Sequence, residues 1–525
     1  MDTSAPRGNG GEWLLDPTDI NIGLVGIDQL TCLAGVCFDD PPLVGNVSTI
    51  TAGTLDAGLR LNGSVTLQAH RDINLQTDLN LTYGGGAFIA QAGNNINLGG
   101  NITANGTNIT LRANDPASLT PSGYGSITSG PGFGNITTNG GSVNLLGYGV
   151  AVGNISTYGS LGSGSLTVAA AGDIVTGSLA TFSTAAGVAG GAVKLATDSG
   201  KITVNGSIDT RGADGSFAIV DGASGGNVLI ERRNSATTGT VSVSGGIITN
   251  GGNGITATSG QGGSGGSAGD VFISGLTTTV IPGISGAPTV VATLSGDILV
   301  AGGISARGGN AANSSGTFAG ALGGQGGSVN LLASGNVSVG NANGAIDVSG
   351  GLGGAGPGTS GPGNGGGAGG SAGFVDLQGG QSLTVVGAIL ADGGAGGNGG
   401  AASSGGSGGG GGVVTLRGAG SIGSISAIGG NGGTAPAGSA IGLGGSGGEV
   451  LISAPGDIAL GGAINAFGGL DGARTTRTCC GLIEIVAGGA VTQTAALTTD
   501  ILFAAGTDVK LDVSNTVKSL ECVVQ

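Results

Sequence analysis

Apolar residues fall in three columns along this chain, and two of the spacings between columns stay nearly fixed while the third is free to grow. A first column runs from Val65, Phe88 and Ile109 to Val414, Val450 and Ile483. A second follows about eight residues later, from Ile73, Ile96 and Ile127 to Ile422, Ile458 and Val491, and a third about six residues after that, from Leu79, Ile102 and Ile136 to Ile425, Ile464 and Leu497. The return to the next first-column residue ranges from seven residues (Ile102 to Ile109) to twenty-nine (Ile346 to Val375). Each column residue sits in a short alternation, as in Gly-Ser-Ile-Asp-Thr at 206–210, that sends one side chain inward and the next outward. Three short strands per unit, two tight corners and one elastic corner predict a parallel β-solenoid. The expected fold class is therefore all-β: a right-handed parallel β-helix of about thirteen three-strand coils, with an N-terminal cap and glycine-rich loops at one corner.

One coil cannot bury its apolar face, because each inward side chain needs a like residue above and below it; stacking supplies that partner. The expected organisation is a cap segment at 1–46, compact coils at 47–190, coils with long glycine-rich insertions at 191–482, and distal coils at 483–525. Ile501 and Val509 read as the first two strands of one more coil, so the chain is expected to be a truncated piece of a longer one.

Composition narrows the function. Of 525 residues 124 are glycine, while charged residues make up 9 % and aromatics 3 %, which disfavours long helices and a large globular core. The net charge of −15 and the lack of a basic stripe argue against a nucleic-acid partner, since phosphate neutralisation needs a cationic surface. Arg474 and Arg477 read as part of a solvated loop. No apolar run approaches the ~20 residues of a membrane-spanning helix, so the chain is expected not to span a membrane. The start, Met-Asp-Thr-Ser-Ala-Pro-Arg, lacks the basic-then-apolar pattern of a signal peptide.

Candidate chemistry is sparse. Sugar hydrolysis needs two carboxylates at fixed separation, which acids in equivalent positions of successive coils would supply. The residue before the second strand tests this: it reads Asp72, Asn95, Ser126 and Gly149 at the start, with further acids only at Asp173, Asp297 and Asp457, none of them in adjacent coils. These are expected to be turn residues. His70 is the single histidine and cannot belong to a multi-histidine metal site, and Asp39-Asp40-Pro reads as a turn. Glycine spacings that would suggest a phosphate loop carry no weight in this background. No catalytic, cofactor-binding or metal-binding residue is assigned, no cofactor is expected, and the chain is expected not to be an enzyme. Cys32 and Cys37 enclose four residues; a bridge there would contribute about 2 kcal/mol on the chain-entropy model, and the alternative is a pair of small buried residues. Cys479 and Cys480 are adjacent, where a mutual bridge is disfavoured, so with Cys522 they are expected as free thiols or as partners of sequence outside the chain.

The segment Gly-Glu-Trp-Leu-Leu-Asp-Pro-Thr-Asp-Ile-Asn-Ile at 11–22 holds the only tryptophan and reads as a lid over the open end of the core. It resembles the Trp-Leu-(Leu or Ile)-Asp-Pro-x-Asp block of filamentous haemagglutinin-like exoproteins of Gram-negative bacteria, and Ser-Val-Thr-Leu-Gln-Ala followed by Asp-Ile-Asn-Leu within 55–81 resembles their repeats. The resemblance implies a β-helical passenger that works outside the cell or on the outer-membrane surface, exported by an outer-membrane transporter in trans or a barrel in cis. It transfers no functional residue. The expected function is that of a secreted or surface-displayed adhesin or extracellular-matrix exoprotein whose partners are glycans or cell surfaces. The alternatives are a β-helical polysaccharide lyase or hydrolase, favoured by an aligned acidic cluster, and a passive structural fibre or surface-layer component, favoured by a surface without any recess.

Insertions such as Gly-Gly-Leu-Gly-Gly-Ala-Gly-Pro-Gly at 350–358 and Gly-Gly-Ala-Gly-Gly-Asn-Gly-Gly at 393–400 all leave from the elastic corner. Five long returns, after Ile247, Ile304, Ile346, Ile389 and Ile425, lie on consecutive coils. Strands without side chains can approach closely in an extended, polyproline-II-like form, so these loops are expected to stack as an ordered layer beside the β-helix, rich in backbone donors and acceptors.

Overall fold

A computed structural model describes residues 12–15, 18–23, 31–33, 36–38, 47–115, 123–159, 162–233, 239–280, 290–292, 295–340, 346–357, 364–418 and 420–524. It is a parallel β-helix, almost wholly strand and loop. Two compact units divide it: residues 1–181 with 191–207, and residues 182–190 with 208–525.

In the first unit the three columns stack in register. Val65 pairs with Phe88, Phe88 with Ile109 and Val143 with Leu166 in the first column; Ile73 with Ile96 and Ile127 in the second; Leu79 with Ile102 and Ile136 in the third. All of these residues are at most 1 % exposed, and burying each contributes roughly 1.5–3 kcal/mol. The N-terminal block is itself laid in register: Trp13 pairs with Val65 and Ile20 with Ile73, so Glu12–Leu15 and Asp19–Gly23 form the strands of a further coil. Thr31–Leu33 runs antiparallel to Val36–Phe38 with Cys32 opposite Cys37; the side chains of these cysteines, and Asp39-Asp40-Pro, lie outside the described residues.

One element departs from the repeat. Ala52–Asn62 is a helix, with Thr51 Oγ1 accepting from the N–H of Thr54 and Gly63, at φ 75°, closing the C-terminus on the Leu59 carbonyl. Leu55 and Leu59 are fully buried on its inner face. Its outer side is tied down by Asp56, which accepts from the N–H groups of Thr82 and Tyr83.

In the second unit Val228 pairs with Val271, Val241 with Ile298 and Ile208 with Ile247, and the columns continue through Ile483, Val491 and Leu497. Two registers differ from the sequence reading. Ile422 stands opposite Val385 and Leu460 rather than Leu383 and Ile458, because only two residues separate it from Ile425; the two-residue shift keeps it pointing inward. At the distal end Leu502, not Ile501, pairs with Ile483: Leu502 is 1 % exposed and Ile501 48 %. The strand Leu497–Gly506 runs straight from the third column into the first without a loop, and that tight passage resets the parity. Val509 pairs with Val491 as expected.

Cys479 and Cys480 are disulfide-bonded to each other, against the expectation of free thiols; Cys522 is free and exposed. The turn there allows it, with Cys480 at φ 89° and the N–H groups of Cys480 and Gly481 both donated to Asp500 Oδ2. Burial would raise the pKa of Asp500, but Lys518 and those two amides outweigh it and hold the carboxyl below its ordinary 3.8. A depressed carboxylate stabilises the fold fully above its unfolded pKa and withdraws that support as pH falls through the folded value. Lowering the pH from 6 to 3 therefore reduces the thermal midpoint by more in the native chain than in Asp500→Asn; equal slopes would show that the contact contributes nothing.

The register makes its own prediction. Ile298→Asp places a charge among buried aliphatic groups and lowers stability by several kcal/mol, whereas Leu299→Asp, on a side chain 41 % exposed, changes it by about 0.5 kcal/mol or less. Thermal midpoints of the two variants check this.

Candidate binding surface

The elastic corner carries the chain's most unusual structure, and its base is built from the strand that precedes it. The residue two positions after the third-column apolar residue is Thr138, Thr157 and Thr181 in the first unit and Thr210 and Thr249 in the second; all five are fully buried. Their hydroxyls donate across the neck of the loop to the carbonyls of Gly141, Gly164, Gly191, Gly226 and Gly269 respectively. At Ala306, Val348, Ala391 and Ala427 the same position is Ala or Val, and a backbone bond alone closes the neck, as from Gly373 N–H to the Val348 carbonyl.

Beyond the neck the loops of the second unit form two rows, one of outgoing and one of returning segments. Burial repeats every three residues: Val348, Gly351, Gly354 and Pro357 are buried on one outgoing segment, and Asn364, Gly367, Gly370 and Gly373 on its return. A period of three with no internal hydrogen bonds is the signature of a polyproline-II-type helix. Seven consecutive N–H groups show how the segment is held. Gly350, Gly353 and Gly356 donate to the carbonyls of Asp392, Ala395 and Asn398 on the next outgoing segment. Gly351 and Gly354 donate to Gly324 and Ala321 on the preceding return. Leu352 and Ala355 donate to the Oδ1 atoms of Asn310 and Asn313. The zigzag between rows then runs Gly324, Gly351, Gly370, Gly394, Gly409, Gly430, Gly445 and Gly469, each N–H meeting the previous carbonyl at 2.7–2.9 Å.

Glycine is required here by close approach. A Cβ on Gly351 would meet the Gly309 carbonyl at 1.8 Å, and one on Gly394 the Gly351 carbonyl at 1.9 Å. Only every third position is open, so the layer shows solvent a repeat of single side chains: Asn253, Asn310, Leu352, Ala395 and Asn431 along the outgoing row, and Ser264, Ser267, Ser371, Ser407 and Ser446 along the return row. The order expected of these loops is present, but their chemistry differs from the expectation. On the outgoing row the backbone donors are consumed inside the layer, and side chains face outward instead. On the return row the N–H groups of Ala368 and Ser371 have no protein acceptor among the described residues, which leaves donors on that face.

A recess of about 550 Å³ opens on the outgoing row where the loops first lengthen. Phe182, Arg211, Asp214, Asn250 and Asn253 line it with glycine backbone. The Arg211 guanidinium lies 5.5 Å from the Phe182 ring centroid and 2.8 Å from Asp209 Oδ2, and the Asp209 contact, opposed by partial burial, raises its already high pKa. A second recess of about 190 Å³ shares Asn250, Gly251 and Asn253 and adds Arg307 and Asn310.

The carboxylates weighed as catalytic candidates accept hydrogen bonds from the backbone of the next coil. Asp72 Oδ1 accepts from the N–H of Asn95, Asn95 Oδ1 from Ser126, and Ser126 Oγ from Gly149; Asp173, Asp297 and Asp457 accept likewise from Lys201, Asn336 and Ala490. A second corner repeats the device through Asp78, Asn101, Asn135 and Asn154. His70 is half-buried at the turn after Ser64–Ala69. Arg477 is not merely solvated: its guanidinium lies 4.2 Å from the Phe467 ring and donates to the Gly468 carbonyl. Among the described residues no cluster of His, Cys, Asp or Glu is placed to hold a metal, and no helix is long and apolar enough to cross a membrane.

No protein-family model matches this chain, and no curated protein matches it in sequence.

The layer yields a direct test. Amides of Gly351, Gly353, Gly354, Gly367 and Gly370 exchange with solvent as slowly as strand amides, whereas a flexible fringe would exchange at random-coil rates. Gly394→Val abolishes that protection and costs about 1–3 kcal/mol, while Ala395→Ser, on an open position, leaves it intact. Hydrogen exchange with mass spectrometry reads both.

Proposed function

We propose that this chain is a secreted or surface-displayed β-helical adhesin or extracellular-matrix exoprotein that attaches by multivalent contact. The observation that carries the reading is the glycine layer. Its two rows form a fixed array whose solvent-facing chemistry is a lattice of single Asn, Ser, Arg and Leu side chains. Weak contacts repeated along such an array gain from effective concentration without any one of them being tight. The resemblance of 11–22 to the filamentous haemagglutinin-like block supports the extracellular setting. The recess beside Phe182 and Arg211 counts against a passive fibre, which needs none. Engagement of the corner carboxylates by backbone amides supports a non-catalytic role, because their lone pairs already hold the stack together.

The reading predicts density-dependent adhesion. Beads carrying the full chain at high density adhere to cells and to glycan-coated surfaces and resist detachment, while sparsely coated beads wash off. Gly394→Val, which breaks the layer, reduces adhesion by at least about tenfold. Absence of adhesion at every density, or turnover of a polysaccharide by the purified chain, overturns the proposal.

A further inference from the structure

We infer that the paired recesses on the outgoing row form a binding groove for a neutral oligosaccharide. The inference rests on the adhesin reading only for its setting; the chemistry is that of the groove itself. Its combined size falls in the range of about 300–1,000 Å³ usual for small-ligand sites, and its elongation over successive loops suits a chain of sugar rings better than a single one.

The polar groups in the groove are planar and fixed in place. Asn250 Oδ1 accepts from Ser305 Oγ at 2.7 Å and from the Arg307 N–H at 2.8 Å, and Asn310 Oδ1 accepts from the Leu352 N–H at 3.0 Å. Those bonds settle which end of each amide is the nitrogen, and among the described residues the Nδ2 groups of both have no acceptor. Asp214 Oδ1 takes the N–H and Nδ2 of Asn253, leaving Oδ2 without a donor among the described residues. Arg307 is exposed and has no carboxylate partner among the described residues. A run of hydroxyls can accept from the two Nδ2 groups and the guanidinium and donate to Asp214, while the half-buried Phe182 offers a ring for the apolar face of a sugar.

Charge decides between sugar classes. The two cations, Arg211 and Arg307, are balanced by Asp209 and Asp214, in a chain of net charge −15. The groove therefore has no excess positive potential to attract a sulfated or uronic-acid polymer. It also lacks the apolar side-chain pockets that anchor a peptide, since Phe182 is the one large apolar side chain among its described lining residues.

The test uses the full chain against soluble neutral tri- to hexasaccharides of glucose, galactose and mannose, with heparin oligosaccharides as the acidic arm, measured by calorimetry. At least one neutral series binds, and the heparin series binds at least about tenfold more weakly. Phe182→Ala weakens the neutral ligand about tenfold, the equivalent of one aromatic contact. Arg307→Gln, on an exposed side chain with no hydrogen bond or ion pair among the described residues, weakens it without altering the thermal midpoint. Asn398→Ala, outside the groove, leaves affinity unchanged. Absence of neutral binding, preference for heparin, or equal binding by the native chain and Arg307→Gln overturns the inference. Adhesion that persists without oligosaccharide binding sinks the groove and spares the adhesin reading; oligosaccharide binding without adhesion does the reverse.

Discussion

Each coil of this chain has to place its backbone N–H groups on the coil beside it, because neither a single strand nor a glycine-rich loop has a partner within itself. In the strands the acceptors are carbonyls, and the in-register pairing of Val65, Phe88 and Ile109 follows from that ladder as much as from apolar contact. At the corners, where the backbone turns out of the ladder, side-chain oxygens of Asp72, Asn95, Ser126 and their equivalents take over. In the glycine loops the acceptors are carbonyls again, but in a three-residue rather than a two-residue rhythm. One requirement, that a buried N–H must find an acceptor, thus selects three different residue patterns at three places on the same coil.

The glycine layer is costly by itself. Ordering a backbone takes roughly 1–2 kcal/mol per residue, more for glycine, against about 0.5–1.5 kcal/mol net for each hydrogen bond. Its order therefore depends on being anchored. The neck threonines and the Gly373-to-Val348 type of bond fix both ends of each loop, so that adjacent loops of equal reach are held side by side before any layer bond forms. This accounts for long loops appearing on consecutive coils: a loop longer than its neighbours would extend beyond the acceptors that hold it.

The columns were legible because a parallel stack demands the same residue type at the same place in every coil, and that demand is written as recurring Ile and Val. The misread positions are those where local geometry overrode the repeat. Ile501 and Leu502 are both apolar, so only the absence of a loop after Leu497 tells which faces inward. Thr51, Leu55, Leu59 and Gly63 spell a capped helix inside a stretch whose flanks carry the repeat. The vicinal disulfide could be read as improbable but not excluded, since it depends on a left-handed Cys480 and on Asp500, twenty residues away. In the loops, the three-residue period was present as Gly-Gly-x and concealed by low complexity. It becomes readable once each x is recognised as the one position whose Cβ meets no carbonyl.

That period also bears on how such a surface could acquire specificity. Because most of the other positions are glycines with no room for a Cβ, substitutions at the third leave the backbone-to-backbone bonds of the scaffold in place. Arg307, Leu352 and Ala395 are chemically unlike, yet each stands at an open position on consecutive or neighbouring loops. Asn, Asp and Arg line the recesses at one end while Leu352 and Leu470 stand on loops farther along, so the local chemistry is a matter of which residues fill the open positions. On the proposed reading, the fold fixes where a ligand would lie, and the third residues decide what it would be.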